Sequence, residues 1–358
     1  MLLEQYGWSD ALKQQFTTHA AAGLIPARVI VQQRGLYDIV TELGELTATL
    51  AGRLAHDAED GTLPVTGDWV AVLARPTEGS ATIQHVLPRS STFTRRASGP
   101  GAARGQLVAV NVDVALLAAS MNADLNARRI ERYLATAWES GADPVIVLTK
   151  ADMCSDAEAR LSEIEAVAMG VPVLAVSAVT GAGLDALRAY LKPGRTAVLL
   201  GSSGVGKSTL VNALAGREQM ATQAIREDDA RGRHTTSHRE LVLLPSGALI
   251  LDTPGMRELG LWEAGDGMSA AFADIEALAA QCRFRDCGHD GEPGCAIAAA
   301  LATGALDAAR WRAYGKLQRE LEFQVGKEDP KAQAESRRVR MKRNKLHRAE
   351  MKFRKRLE

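Results

Sequence analysis

The sequence is poor in aromatic residues and cysteines, and it has no long apolar run. Aromatic residues make up 4% of the 358 positions, and no row of aromatics that could stack nucleobases runs along its β-like stretches. Its four cysteines, three of them near residue 290, do not fit a disulfide scaffold and indicate a reducing compartment. No apolar stretch of roughly eighteen residues and no signal-peptide pattern is present, so we expect a cytoplasmic protein.

The charge is balanced overall but unevenly distributed. The chain has 43 basic and 43 acidic residues. Residues 331–358 contain 12 of the basic and 3 of the acidic residues, a net charge of +9, which leaves −9 on residues 1–330. A polycationic tail on an acidic body is typical of contact with nucleic acid or another anionic surface, although a charge run can also be a solvated face.

A glycine-rich stretch in the middle of the chain (the P-loop) fits the phosphate-binding pattern G-x-x-x-x-G-K-[ST]. Apolar residues 196–200 predict a strand before it, and residues 210–214 predict a helix after it. Glycines allow backbone N–H groups to surround phosphate oxygens, Lys207 brings a cation to the outer phosphates, and Ser208 offers a hydroxyl to Mg²⁺. We therefore predict a nucleoside triphosphate site. Its residues are Gly201, Ser202, Ser203, Gly204, Val205, Gly206, Lys207, Ser208 and Thr209.

The amino-terminal part predicts a small β-barrel. Five short β-like runs separated by glycines lie within residues 27–96, a pattern typical of an OB-type barrel. Such barrels bind RNA or serve as protein-docking modules, and the strand pattern does not decide between the two. Residues 1–26 predict only a flexible extension, and the small, Gly/Pro-rich residues 94–106 predict a linker or mobile loop.

From residue 106 onward the sequence alternates between apolar runs and helical patterns. Strands are predicted within 108–119 and at 143–148, 171–176 and 196–200, with helices between them. This alternation predicts a mostly parallel sheet with helices on both faces, in which ligands bind at the carboxyl ends of the strands.

Two predicted strands end in residues that suit a guanine base. Thr149, Lys150 and Asp152 fit the [NT]-K-x-D motif of GTPases, in which the Asp carboxylate accepts two hydrogens from guanine and the Lys stem lies along the ring. Adenine offers the wrong donor pattern to a carboxylate. The tetrapeptide alone is weak, since it is also typical of a solvated strand end. Its weight comes from Ser177 and Ala178 after the next strand, which resemble the S-A loop whose backbone contacts the guanine oxygen.

Two stretches after the P-loop resemble the GTPase switches. Residues 231–237 read RGRHTTS, where a threonine hydroxyl would complete the Mg²⁺ shell. Thr235 and Thr236 compete for this role, and by analogy we favour Thr236. Asp252 and Gly255 frame D-T-P-G, which matches the second-switch pattern D-x-x-G. Asp252 would reach Mg²⁺ through water, and the Gly255 amide would bond the γ-phosphate.

The order of these motifs is rotated. GTPases ordinarily run from the P-loop through the switches to the base-specifying motifs, whereas here T-K-x-D and S-A precede the P-loop. Because the chain ends of a domain often lie close together, a rotated order leaves the sheet undisturbed. We therefore predict a circularly permuted GTPase domain.

The residue after the second switch motif is Met256, where many GTPases have a water-orienting glutamine. His234 could position the attacking water as a neutral imidazole, although it fits equally well a surface histidine in a loop. The other candidate catalytic residues are Lys207, Thr235 and Thr236. We expect slow intrinsic hydrolysis that a partner accelerates.

Three cysteines and one histidine follow in the spacing C-x4-C-x-H-x5-C. Cys282, Cys287, His289 and Cys295 match a closed tetrahedral Cys3His site, so we predict one structural Zn²⁺. The alternative, free cysteines packed as small apolar residues, does not suit the Arg, Asp, Gly and Pro residues around them.

These patterns predict a multidomain protein. It has an OB-type barrel, a central α/β P-loop GTPase domain with permuted motifs, and a helical zinc-binding domain with a basic tail. The expected segments are an extension at 1–26, the barrel at 27–96, the GTPase domain at 97–265, the zinc-knuckle domain at 266–325 and the tail at 326–358.

The permuted order, the G-R-H-T-T and D-T-P-G stretches, the cysteine–histidine spacing and the barrel together resemble the RsgA (YjeQ) family over about residues 27–325. The resemblance implies a GTPase that docks on a late precursor of the small ribosomal subunit, is stimulated by it, and leaves after GTP hydrolysis. We expect rRNA contact by the tail, a monomer, and no membrane partner. Ser237 stands where the family pattern has a third threonine, which leaves the switch assignment open.

Two other functional classes fit parts of the sequence. A metabolic P-loop enzyme that uses ATP would lack guanine selectivity. An RNA-binding scaffold that merely holds a nucleotide would lack turnover.

Overall fold

The computed structural model describes most of the chain. The described residues are 2–33, 35–56, 62–96, 105–122, 125–168, 170–216, 239–252, 265–289 and 291–328. Described residues up to Ala273 form one compact unit, and those from Asp274 form a second. Among the helices of these ranges, none combines the length and the apolarity that crossing a membrane requires.

A closed five-stranded barrel forms the amino-terminal part of the first unit. Its strands are β1 (Ile25–Gln32), β2 (Tyr37–Thr41), β3 (Gly44–Leu50), β4 (Trp69–Arg75) and β5 (Ser80–Val86). They pair in the order β1-β2-β3-β5-β4, and β4 pairs back to β1, so the barrel is closed. Val29, Ile39, Val70 and Ile83 fill the interior with no exposed surface. The predicted OB-type barrel is thereby confirmed.

The amino-terminal segment is ordered against the barrel, and the prediction of a flexible extension was wrong. Helices α1 (Leu2–Gln5) and α2 (Asp10–Ala21) and the turn between them place Leu3, Trp8 and Phe16 in a core with Trp69 of β4. The rings of Trp8 and Trp69 lie 4.8 Å apart. The Glu42 carboxylate accepts from the N–H groups of Leu2 and Leu3 and so caps α1. The apolar residues find their partners about sixty positions away, which the local sequence did not reveal.

The predicted linker is in part a β-hairpin. Strand β6 (Thr92–Arg96) pairs antiparallel with β7 (Gly105–Val110), so residues 94–96 and 105–106 are not a loop; residues 97–104 lie outside the described residues. Phe93 and Val108 are buried in a core shared with the following α/β sheet. Their burial stabilises the hairpin, which the Gly/Pro-rich composition of residues 94–106 did not predict. The expected domain boundary at residue 96 falls at the end of β6.

The central sheet has six strands in the order β10-β9-β8-β11-β13-β12. The strands are β8 (Val114–Ser120), β9 (Asp143–Thr149), β10 (Val173–Ala175), β11 (Thr196–Leu200), β12 (Glu240–Leu243) and β13 (Leu249–Asp252). β10, β9, β8, β11 and β13 run parallel, and β12 pairs antiparallel with β13 on one side and with β1 of the barrel on the other. β8 to β10 precede β11 in the chain, so the base-motif strands come before the P-loop strand. The predicted permuted α/β fold is confirmed.

Helices cover both faces of this sheet, because consecutive strand residues alternate between two cores. Leu117 packs with Ile130 and Leu134 on one face. Leu116 packs with Leu210 and Leu214 on the other face. The helices of the first unit in this region are α4 (Ala127–Ser140), α5 (Ala157–Ala168), α6 (Leu184–Arg188), α7 (Lys207–Ala215) and α8 (Gly265–Ala271). A short helix α3 (Gly52–His56) and two 3₁₀ turns (Pro76–Glu78 and Ala151–Met153) complete the described elements of this unit.

The second unit is helical in its described residues. Its helices are α9 (Ala273–Ala279), which begins at the last residue of the first unit, α10 (Ala296–Thr303) and α11 (Ala308–Glu328). Ile275, Ile297 and Leu317 are buried. Arg310 of α11 donates two hydrogen bonds, of 2.8 and 2.7 Å, to the two carboxylate oxygens of Asp274. This bidentate pair lowers the pKa of Asp274 even though burial of the carboxyl raises it.

We expect the amino-terminal helices to contribute to global stability. Leu3→Ala removes a side chain with 0% exposure and should lower the free energy of unfolding by about 3 kcal/mol. Leu43→Ala is the matched control, because Leu43 is 59% exposed and should cost less than about 0.5 kcal/mol. Urea denaturation followed by circular dichroism measures both. Equal effects of the two substitutions would show that α1 does not stabilise the barrel.

Candidate nucleotide site and metal centre

The carboxyl ends of three neighbouring parallel strands bring the predicted motifs to one edge of the sheet. β9 ends at Thr149, β11 ends at Leu200, and β8 lies between them. Beyond β10 the chain crosses to the other side of β8 and enters β11, so a topological switch point lies between β8 and β11. Such points form the ligand crevice of open α/β sheets.

The P-loop joins β11 to α7 as the sequence predicts. Gly201 has a φ of +155°, and a Cβ atom there would overlap the carbonyl oxygen of Ala118. Glycine is therefore required where the loop leaves the sheet. Lys207 is the first residue of α7, and its Nζ donates to the carbonyl oxygens of Gly201 and Ser202, both at 2.7 Å. The ammonium thus lies within the loop whose residues would contact phosphates.

Thr149 connects the base motif to the P-loop. Its Oγ1 lies 2.6 Å from the carbonyl oxygen of Val205, to which it donates, and 3.2 Å from that of Ala119. The hydroxyl is buried, and Thr149 is 5% exposed. One short hydrogen bond therefore fixes the T-K-x-D loop beside the phosphate loop, although 56 residues separate them in the chain.

The remaining base-motif residues surround this contact. Lys150 has a φ of +58°, which turns the chain sharply after β9, and the side chain of Asp152 is exposed. The N–H of Ala151 donates to the carbonyl of Val176 at 3.1 Å, so the T-K-x-D loop is also bonded to the end of the next strand. Ser177 is fully buried, and its Oγ accepts from the N–H of Thr180 at 3.1 Å. Ala178 follows at the start of the turn that this hydroxyl stabilises.

The switch residues are placed only in part. Asp252 is the last residue of β13, one position beyond the pairing of Leu251 with Val198 of β11, so its backbone lies next to the P-loop strand. The predicted residues His234, Thr235, Thr236 and Gly255 lie outside the described residues. The same is true of the basic tail at 331–358.

A contact that the sequence analysis missed lies at the start of α4. Arg129 Nη1 donates to the Ser202 hydroxyl of the P-loop at 2.8 Å. Asn126 caps α4 by accepting from the N–H of Arg129 at 3.2 Å, which fixes this first turn. A helix that follows β8 must begin beside the P-loop when β8 and β11 are neighbours. Local sequence patterns do not give the strand order, so they could not predict this contact.

The four predicted metal ligands converge. Their ligand atoms all lie within 4.8 Å of one another, and Cys295 is the most buried of the four residues. His289 Nδ1 lies 3.6 Å from Cys282 Sγ and 3.5 Å from Cys295 Sγ, and the two sulfurs are 4.0 Å apart. Metal–sulfur bonds of about 2.3 Å and metal–nitrogen bonds of about 2.0 Å at tetrahedral angles separate ligand atoms by about 3.5–3.8 Å. The cluster therefore has the size of a tetrahedral metal site.

The surroundings of Cys282 suit a thiolate ligand. Burial raises the pKa of Cys282, but donation from the backbone N–H groups of Ala296 and Ile297 outweighs it, and the pKa is lowered overall. The ring of Trp311 meets the His289 ring edge-on, with 5.7 Å between the ring centroids. These contacts orient the imidazole and favour a deprotonated Cys282 sulfur. The backbone N–H of His289 lowers the pKa of Cys287, but burial and the Cys295 and Cys282 thiols outweigh it and raise that pKa to about 11, so the third thiolate needs the charge of a bound cation.

We expect purified protein to carry one equivalent of metal that depends on this cluster. Cys282→Ser should reduce bound metal from about one per chain to near zero, because a closed tetrahedral site does not tolerate loss of a thiolate. Cys154→Ser is the matched control, since Cys154 lies in the first unit and outside the cluster. Metal content after gel filtration, measured by plasma mass spectrometry, tests this. Retention of metal by Cys282→Ser would contradict the assignment.

Comparisons with known proteins agree with this arrangement. The family model described as RsgA GTPase matches residues 86–262. A relative from Streptomyces coelicolor named small ribosomal subunit biogenesis GTPase RsgA is 47% identical over 352 residues, covering 98% of this chain and 94% of the relative. A relative of the same name from Opitutus terrae is 46% identical over 340 residues, with 92% of each chain covered.

Two solved structures have similar folds. YjeQ from Thermotoga maritima superposes with a TM-score of 0.63 at 26% identity, covering 83% of this chain and 98% of that one. YloQ, described as a circularly permuted GTPase, superposes with a TM-score of 0.59 at 23% identity, covering 84% and 95%, and supports the fold. The rotated motif order and the contact between the base and phosphate loops agree with relatives that match nearly the whole chain. The chain belongs to the RsgA GTPase family.

Proposed function

We propose that this GTPase docks on the small ribosomal subunit late in its maturation, is stimulated by it, and hydrolyses GTP to GDP and phosphate before leaving. The observation that best supports GTP binding is the hydrogen bond from Thr149 to Val205, which holds the T-K-x-D loop beside the P-loop. The curated relatives are named small ribosomal subunit biogenesis GTPases, which supports the partner. That partner implies a cytoplasmic location, and we propose a monomer.

The base and phosphate contacts follow from the same edge of the sheet. The exposed Asp152 carboxylate would accept two hydrogens from guanine, the Lys150 stem would lie along the ring, and the backbone at Ser177 and Ala178 would meet the guanine oxygen. The N–H groups of residues 201–209 would surround the phosphates. Lys207 would exchange its contacts with two loop carbonyls for phosphate oxygens, which strengthens binding because a charged acceptor replaces neutral ones.

Mg²⁺ would be held by Ser208 in the first turn of α7, Asp252 at the end of β13, and Thr236. Hydroxyl and carboxylate oxygens are the donors that Mg²⁺ takes, and when bound it neutralises charge on the outer phosphates. Gly255 would donate its amide to the γ-phosphate. His234 would hold the attacking water, because Met256 cannot, with Thr235 as the alternative switch threonine.

Zn²⁺ is the metal we propose for the knuckle of Cys282, Cys287, His289 and Cys295. Three thiolates and one imidazole are a donor set typical of structural zinc, with no open position for catalysis. The basic tail at 326–358 would pair with rRNA phosphates, so subunit binding should weaken with salt. We propose the remaining segments as expected from the sequence, at 1–26, 27–96, 97–265 and 266–325, with the β6–β7 hairpin crossing the boundary at residue 96.

The direct test is GTP turnover by the full chain with and without purified small subunits, at two salt concentrations. We expect turnover to rise with subunits, the rise to shrink at higher salt, and Lys207→Ala to abolish both rates. ATP turnover equal to GTP turnover would favour a metabolic P-loop enzyme. Nucleotide and RNA binding without turnover would favour a scaffold.

We expect Asp152→Asn to change base selectivity. Loss of two charge-assisted hydrogen bonds, each worth about 1.5–3 kcal/mol, should weaken GTP binding by roughly 100-fold or more. Xanthosine triphosphate should bind the variant better than GTP does, because the Asn amide can donate to its additional carbonyl. Asp156→Asn is the control, an exposed carboxylate four residues later. Competition binding with a fluorescent nucleotide measures both, and unchanged GTP affinity of Asp152→Asn would reject Asp152 as the base contact.

A further inference from the structure

Arg28 is a buried cation to which the nucleotide site assigns no role. It lies in β1 of the barrel, and 2% of its surface is exposed. Burial lowers the pKa of its guanidinium to about 10, while the negative charges of Asp113 and Asp68 act in the opposite direction. The side chain is therefore protonated at neutral pH. A buried cation is costly unless its N–H groups find acceptors, so its acceptors indicate what it holds together.

The acceptors come from separate parts of the first unit. Arg28 Nη2 donates to the Thr196 hydroxyl at 2.8 Å, and Thr196 is the first residue of β11, the strand that leads into the P-loop. Nη1 donates to the carbonyl of Tyr6, between α1 and α2. Nε donates to the carbonyl of Gly67, just before β4, at 3.4 Å. One side chain thus joins the amino-terminal helices and the barrel to the P-loop strand.

The barrel is closely fitted around this side chain. Gly67 has a φ of +96°, and a Cβ atom there would lie 2.9 Å from the carbonyl oxygen of Val110, at the end of β7. The Asn111 amide also donates to the Gly67 carbonyl, at 3.1 Å. The Trp69 ring lies 5.1 Å from the guanidinium carbon of Arg28 and provides a cation–π contact. Movement of the barrel at this point therefore displaces Arg28.

A second set of contacts joins the barrel to β12. Val31 of β1 pairs antiparallel with Glu240, the first residue of β12. The Thr66 hydroxyl donates to the carbonyl of Arg239 at 3.3 Å. β12 pairs along its length with β13, which ends at Asp252. The barrel is thus bonded to β11, which leads into the P-loop. It is also bonded to β12, which pairs with β13, the strand that ends at the second switch motif.

We propose that Arg28 is a positioning residue that couples the barrel to the nucleotide site, so that a macromolecule bound at the barrel changes the rate of GTP turnover through the Arg28–Thr196 hydrogen bond. The inference rests on the proposed function, because the small subunit supplies the ligand of the barrel. The Thr196 backbone is fixed by Asp113, whose Oδ2 accepts from the Thr196 N–H at 2.7 Å and whose N–H donates to the Thr196 carbonyl at 2.8 Å. From there β11 runs fully buried into the P-loop.

Two substitutions of Thr196 isolate the hydrogen bond. Thr196→Val removes the acceptor at nearly constant shape, and Thr196→Ser keeps it. With purified small subunits and the full chain, Thr196→Val should lower subunit-stimulated GTP turnover about fivefold or more, while unstimulated turnover and co-sedimentation with subunits stay within about twofold of the wild type. Thr196→Ser should behave as the wild type. Arg28→Lys, which loses the planar guanidinium, should lower subunit-stimulated turnover as Thr196→Val does.

Either of two results would overturn the coupling. One is full stimulation of Thr196→Val. The other is an equal fall of its stimulated and unstimulated rates, since that would mean a purely structural role.

A second measurement needs no ribosomal subunit. Coupling of binding free energies is reciprocal, so if the Arg28–Thr196 bond links the barrel to the GTP-bound state, replacing GDP by a non-hydrolysable GTP analogue should change amide hydrogen exchange in peptides that cover β1 and β4. We expect this change in the wild type and in Thr196→Ser, and its loss in Thr196→Val. If amide exchange in the barrel of the wild type is the same with GDP and with the GTP analogue, the coupling is refuted. If the exchange changes but small subunits do not raise GTP turnover of the wild type, the proposed partner is refuted and the coupling stands.

Discussion

The hydrogen bond from the Thr149 hydroxyl to the Val205 carbonyl is the contact on which the nucleotide site depends. A nucleotide has a base at one end and phosphates at the other, so the loops that bind the two ends must be held at a fixed separation. Here the two loops leave strands on either side of β8, and a short buried hydrogen bond joins them. Because both groups are buried, breaking the bond would remove a donor from the buried Val205 carbonyl, which is costly where water cannot replace it. The geometry is thus maintained without any requirement on motif order in the chain.

That independence explains why the permuted chain forms an ordinary ligand crevice. The sheet is stabilised by strand neighbours and by two apolar cores, one on each face, and neither depends on which strand comes first. Permutation does change what the ends of the domain are attached to. The P-loop strand begins at Thr196, next to a barrel residue, and β12 pairs with the barrel strand β1. The P-loop strand β11 and the strand β12 beside β13 therefore border the barrel.

The metal centre serves a different physical purpose. The second unit has a small set of buried apolar residues among its described positions, such as Ile275, Ile297 and Leu317. A core of this size gives little stability, and a cross-link through four ligands compensates for it. Elsewhere in this unit, the bidentate Arg310–Asp274 pair links α11 to α9. Loss of metal should accordingly affect this unit before the first one.

Sequence alone determined the features whose signals are local: the P-loop, the T-K-x-D and S-A strand ends, the barrel strands, the rotated order and the cysteine–histidine spacing. Each motif depends on residue types close together in the chain, the rotated order follows from where the motifs stand, and the alternation of apolar runs with helical patterns then predicts the sheet that unites them. Tertiary structure decided the rest. The burial of Leu3 and Trp8, the β6–β7 hairpin and the contacts of Arg129 and Arg28 all need partners from distant parts of the chain. An arginine in a strand gives no local sign that it will be buried, because the oxygens that make its burial tolerable come together only when the barrel and the sheet have folded.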